Sequence, residues 1–96
     1  MKWQLSPDCY TLLKKLDVRV RNGFWNALKV FERNPNDLTL DHKELKRNLT
    51  GFWKIDITED SKNAAIYELI KEGDDEIAYF IQVGLKKALY NEENKV

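Results

Sequence analysis

The sequence predicts an α+β fold, a helical hairpin packed on a small, mostly antiparallel sheet in the order β-α-α-β-β-β. Three observations predict it. Apolar residues between Tyr10 and Phe31 recur mostly at three- and four-residue spacing. From Phe52 onward the period changes, and short apolar stretches alternate with polar turns. Those turns are too short for a crossover, so the strands they join must be antiparallel neighbours.

Lys2-Trp3-Gln4-Leu5 alternates weakly and reads as a first strand. Ser6-Pro7-Asp8 starts a helix, with a hydroxyl at the cap, proline at the first helical position and an acid in the first turn. Tyr10, Leu13 and Leu16 follow at helical spacing, with Leu12 beside them, so this helix is expected to end near Leu16. Asp17 is the next cap. Val18, Val20, Phe24, Trp25, Leu28 and Phe31 then form the apolar side of a second helix, and Arg19, Arg21, Asn22, Asn26, Lys29 and Arg33 fill its other face. Trp3 and Trp25 are expected in the core. Gly23 costs ~1 kcal/mol relative to alanine inside a helix, so it marks either close packing or a break. Asn34-Pro35 ends the helix, because proline disfavours helix in the residue before it.

Residues 52–57 alternate as a strand, with Phe52, Lys54 and Asp56 on one face and Trp53, Ile55 and Ile57 on the other, where Trp53 is expected to be core. Residues 58–63 are a polar turn and 64–70 a second strand. Residues 71–75 turn again, with Gly73 free to take positive φ. Residues 76–83 are apolar at nearly every position, which predicts burial on both faces. Gly84 ends that strand, residues 85–90 form a short helical turn, and the polar tail 91–96 is expected to fray. Nothing resembles a repeat or a linker, so residues 1–96 read as one domain.

Composition narrows the function. The chain is 43% hydrophobic and 33% charged, which is globular rather than disordered. No apolar run approaches the ~20 residues of a membrane span. With no apolar h-region at the start and one cysteine, Cys9, a cytoplasmic protein is expected. The net charge of zero hides an asymmetry. Residues 1–54 carry eleven Lys or Arg against six acids, and residues 55–96 carry five Lys against ten acids. The basic half either binds a polyanion locally or packs on the acidic half.

His42 is the one histidine, and it opens the run His42-Lys43-Glu44-Leu45-Lys46-Arg47 that leads to the strand at Phe52. An imidazole titrates near neutrality and suits acid–base work. Lys43, Lys46 and Arg47 suit phosphate contacts. Each has a plainer reading as surface residue, turn cap or solubilising charge. One histidine and one cysteine far apart make no metal site, and neither a Gly-rich phosphate loop nor a nucleophile elbow is present.

Read in order, the chain has a helical hairpin ending in Asn34-Pro35 and a basic His42 loop leading to Gly51 and an aromatic strand. Ile66-Tyr67 then lies in the next strand, and an apolar strand closes with Val83-Gly84 and, after it, Leu89-Tyr90. This pattern resembles the RelE/ParE toxin superfamily of bacterial toxin–antitoxin systems, and within it the RelE and YafQ-like branches. The resemblance spans nearly the whole chain, although no single motif in it is specific. It implies a RelE-like fold and a metal-independent endoribonuclease, an mRNA interferase that acts at the ribosome, needs no cofactor and is held in check by a cognate antitoxin. Some relatives instead inhibit gyrase on the same fold.

The resemblance implies catalytic roles for His42, Lys54, Asp60 and Lys86, with His42 as one wall of a site shared with Lys54 and Lys86. It implies RNA contacts by Lys43, Lys46, Arg47, Phe52 and Tyr90. Two positions depart from the pattern. Ala64 stands where many relatives carry arginine, and Asp56 where they carry lysine or histidine. Both changes remove positive charge from the place where a phosphorane would need it. They leave open an activity that is reduced, moved to Lys62 or Lys86, or lost.

Overall fold

A computed structural model describes residues 1–90; the expected frayed tail, 91–96, lies outside the described residues. The elements are β1 (Lys2–Leu5), α1 (Pro7–Lys15), α2 (Val18–Arg33), β2 (Lys43–Glu44), β3 (Phe52–Asp56), β4 (Asn63–Glu72), β5 (Asp75–Leu85) and α3 (Lys86–Leu89). α1 and α2 start at the caps expected from the sequence. Ser6 Oγ accepts from the Cys9 amide at 3.0 Å and Asp17 Oδ1 from the Val20 amide at 3.1 Å, each satisfying a donor that the first turn leaves orphaned.

The sheet has five strands in the order β1-β5-β4-β3-β2. β3, β4 and β5 are antiparallel neighbours, as their short connections require, whereas β1 lies parallel to β5. The β4–β5 turn is only Gly73-Asp74, with Gly73 at φ +63°, so both strands run further than their apolar residues suggest. β2 is an addition to the expected order. Two residues of the basic loop pair with Lys54 and Trp53, turning part of that loop into a sheet edge.

The helical hairpin covers one face. Phe24, Phe31, Tyr67 and Phe80 meet there in edge-to-face and tilted contacts with centroids 5.1–5.8 Å apart. Gly23 sits in an unbroken helix: a Cβ there would lie 2.2 Å from the Ile57 carbonyl oxygen, so its role is close approach of α2 to the end of β3.

Two expectations about burial are corrected. Trp25 is exposed, because the buried stripe of α2 runs through Val20, Phe24, Ala27, Leu28 and Phe31 and leaves Trp25 one position outside it. Trp3 is half-buried, with its Nε1 donating to Glu32 at 2.6 Å. β5 is buried at Ile77, Ala78, Phe80, Val83 and Gly84, but Gln82 is exposed and Tyr79 and Ile81 are half-buried, because the helical hairpin covers only one side of the sheet. No described helix is long and apolar enough to cross a membrane.

Candidate functional site

The face without the helical hairpin carries an ordered chain of charge. Its geometry follows from register. Asp56 pairs with Ala64 and Lys54 with Ile66, so both side chains project from that face. β2 places Lys43 opposite Lys54 on the same face. The Lys54 ammonium donates to Asp41 Oδ2 at 2.7 Å and to Asp56 Oδ1 at 2.9 Å. Lys86, the first residue of α3, reaches the same Asp56 oxygen at 2.8 Å. Lys43 lies 3.5 Å from the other Asp41 oxygen. The order is Lys43, Asp41, Lys54, Asp56, Lys86, three cations and two carboxylates.

Lys54 is 2% exposed and Asp56 7%, so hydrogen bonds to these partners stand in for the water that each has lost. Lys54's ammonium holds the Asp41 carboxyl below the ordinary carboxylate range. Lys86 keeps 15% of its side chain in solvent and Lys43 keeps 45%; these are the ends from which the chain can meet an anion.

Beside Lys54 lies a small apolar cluster of Leu45, Ile66 and Tyr90, with Leu49, Phe52, Ile81 and Leu89 packed on it. Tyr90, expected to contact RNA, is instead buried in it, and Phe52 is half-buried. The loop before β3 is stapled by Leu45, whose amide donates to the Phe52 carbonyl at 2.8 Å, and by Glu44, which accepts from the Gly51 amide at 3.1 Å. Lys46 and Arg47 are thereby turned outward and exposed, with Arg47 in the left-handed region at φ +60°.

The structure brings Lys54 and Lys86 together and separates His42 from them. The imidazole lies on the helix-covered face. It stacks on Trp53 at 4.8 Å, lies nearly parallel to Tyr67 at 5.8 Å and meets the edge of Phe31 at 6.2 Å. Its Nε2 is hydrogen-bonded to the Tyr67 hydroxyl and its Nδ1 lies 3.3 Å from Asn36 Oδ1. Burial, and after it the Lys54 charge, holds the imidazole below its ordinary pKa, and burial pushes the Tyr67 phenol up. The shared wall of His42, Lys54 and Lys86 is therefore corrected: alternation along the edge segment sends Asp41 and Lys43 to the Lys54 side and His42 to the Trp53 side. Trp53, expected as core, is the half-buried platform for that ring.

Asp60 also stands apart. It organises its own turn, accepting from Thr58 Oγ1 at 2.6 Å and the Lys62 amide at 3.0 Å, with Arg19 at 3.6 Å. The Thr58 hydroxyl holds its carboxyl below the ordinary range, opposite to what a general acid needs. Asp41 is the residue that sequence reasoning missed. Its signal was present, an acid directly before the lone histidine, but only the tertiary pairing with Lys54 gives it a role. A cleft of about 680 Å³ between α2 and the end of β3 is lined by Asp56 but by none of the site residues expected from the sequence.

The fold has counterparts among solved structures. YafQ from Escherichia coli strain BL21(DE3) superposes with a TM-score of 0.71 at 17% identity, over 94% of this chain and 98% of that one. A YoeB/ParE toxin from Agrobacterium tumefaciens gives 0.67 at 18% identity, over 88% and 98%. A chain of the RelBE2 toxin–antitoxin complex from Mycobacterium tuberculosis gives 0.67 at 16%, over 88% and 96%. The fold is that of the RelE/ParE toxins. The likeness is carried by architecture, since no protein-family model and no curated protein matches the sequence. A toxin fold hosts more than one chemistry, so the activity must be argued from the residues on its open face.

Proposed function

We propose that this protein is the toxin of a type II toxin–antitoxin pair, acting as a metal-independent endoribonuclease that cleaves messenger RNA on the ribosome and so inhibits translation in the cytoplasm. The observation that supports this is the Lys54–Asp56–Lys86 array on the uncovered sheet face of a toxin fold. In the reaction the ribose 2′-oxygen attacks the adjacent phosphorus and gives its proton to water, the P–O5′ bond breaks, and the departing 5′-oxygen takes a proton from water, leaving a 2′,3′-cyclic phosphate and a 5′-hydroxyl. Charge grows on the non-bridging oxygens, and ammonium groups already held in place stabilise it without reorganising. Lys86 and Lys54 supply that charge, Asp56 aims both, and Lys43, Lys46 and Arg47 hold flanking phosphates. The partner is an antitoxin whose acidic or amphipathic segment masks these cations. Purified protein added to ribosomes carrying a defined message should cut it in the A-site codon, as mapped by primer extension. Intact message with folded protein overturns the reading.

One observation favours a second reading, a non-nuclease member of the same fold that inhibits gyrase or only binds an antitoxin. Asp56 places a carboxylate between the two lysines, and its neighbour Ala64 adds no cation. Under this reading the message stays intact, and a supercoiling assay separates gyrase inhibition from antitoxin binding alone.

A further inference from the structure

We infer that His42 is a positioning residue for Lys54: clamped as a neutral imidazole between Trp53 and Tyr67, it fixes the backbone of residues 41–43, and through Asp41 it holds the Lys54 ammonium on the opposite face of the sheet. The inference deepens the ribonuclease reading and rests on it for its effect on cleavage.

The ring cannot reach substrate on the open face. Both of its nitrogens are engaged on the helix side, and Trp53 and Tyr67 fix its plane. The partners also fix its tautomer. Asn36 Oδ1 can only accept, so Nδ1 carries the hydrogen, and Nε2 accepts from the Tyr67 hydroxyl. A second proton would sit on Nε2 facing the phenol hydrogen. Tyr67 is 1% exposed, so turning its hydroxyl away takes that hydrogen out of its bond within a closed site. The clamp thus holds the neutral ring and opposes the charged one.

Asp41 transmits the clamp across the sheet edge. It directly precedes His42, stands in the left-handed region at φ 44°, and its amide donates to the Leu38 carbonyl at 3.2 Å. Its side chain is 48% exposed, so packing does not hold the carboxylate; the backbone beside the clamped ring sets where it starts, and its ion pairs with Lys54 and Lys43 fix where it ends. The groups that face His42 are few. From β3 come Trp53 and the charge of Lys54, from β4 the Tyr67 hydroxyl, from α2 the uncharged Phe31, and from the loop after it Asn36. Asp41 and Lys43 flank the ring in its own segment.

The test follows the Lys54 ammonium directly in proton–nitrogen spectra of the whole protein, beside the cleavage assay. As pH falls through the His42 titration, the Lys54 signal and the Asp41 carboxyl carbon should shift together with the imidazole. His42→Gln, a neutral side chain with a donor and an acceptor, should keep the Lys54 signal and free it from pH in that window. Its cleavage should stay near wild type without the fall in rate that wild type should show as His42 takes up its proton, whereas His42→Ala should cut cleavage about tenfold or more, the scale of a misplaced catalytic group. If Lys54 ignores the His42 titration, and ignores His42→Ala where that variant folds, the inference is overturned. If His42→Ala does not fold, the wild-type titration and His42→Gln still decide. If wild type cuts no message while Lys54 still follows His42, the ribonuclease reading falls and the positioning role stands.

Discussion

The Asp56 carboxylate lies 2.8 Å from the Lys86 ammonium, tying the end of β3 to the first residue of α3. The same oxygen receives Lys54 at 2.9 Å, so one acceptor anchors cations from two elements. This arrangement makes Asp56 a structural centre of the open face whatever reaction that face performs. Removing one partner of a buried ion pair leaves an uncompensated charge, and Asp56→Ala should therefore cost about 3 kcal/mol, the low end of the 3–5 kcal/mol range for such changes. The measurement is a urea unfolding midpoint with unchanged slope. A loss below about 0.5 kcal/mol, the level of an ordinary surface change, would mean that the pairing is not energetically buried.

Acid should weaken the fold through His42. Burial holds its folded pKa below the unfolded value of about 6.5. The unfolded chain therefore binds the proton more readily, and stability rises with pH across that window. The contribution is fully present above the unfolded pKa and is lost as pH falls through the folded one. His42→Gln should flatten this part of the stability–pH curve, and Trp53→Ala, which opens the stacked ring to water, should bring the imidazole closer to its ordinary titration. Chemical denaturation at half-unit pH steps reads both; identical curves for wild type and His42→Gln would rule the effect out.

Gly23→Ala tests the contact between α2 and β3. Helix propensity alone would favour alanine by ~1 kcal/mol. A Cβ at 2.2 Å from the Ile57 carbonyl oxygen meets backbone, which cannot rotate away, so overpacking should win by about 1–3 kcal/mol. A lower melting temperature is expected. A higher one would mean that the helix and strand separate at little cost.

Lys46 and Arg47 face outward from a stapled loop. If they contact phosphates, binding to a short single-stranded RNA should weaken as salt rises. Replacing either by alanine should reduce the slope of log affinity against log salt by about 0.7, the value for one single-strand phosphate contact. Fluorescence anisotropy across a salt series checks this, and an unchanged slope in both variants would remove the loop from the RNA surface.

Local signals carried much of the fold. The caps at Ser6 and Asp17 begin both long helices, proline closes the second, and Gly73 sits in the turn between the last two strands, because each of these effects acts within a few residues. The alternation of 52–57 likewise put Lys54 and Asp56 on one face and Trp53 on the other, as the register has them. By itself, then, the sequence determined the α+β class, the helical hairpin and the antiparallel β3-β4-β5 sheet. Tertiary structure alone decided the parallel placement of β1, the two-residue β2, the burial of Lys54 and the partners of His42. The reason is physical: those features depend on which residues from distant parts of the chain meet at one register, and a histidine reads the same in sequence whether its edge segment turns it toward the open face or into an aromatic clamp.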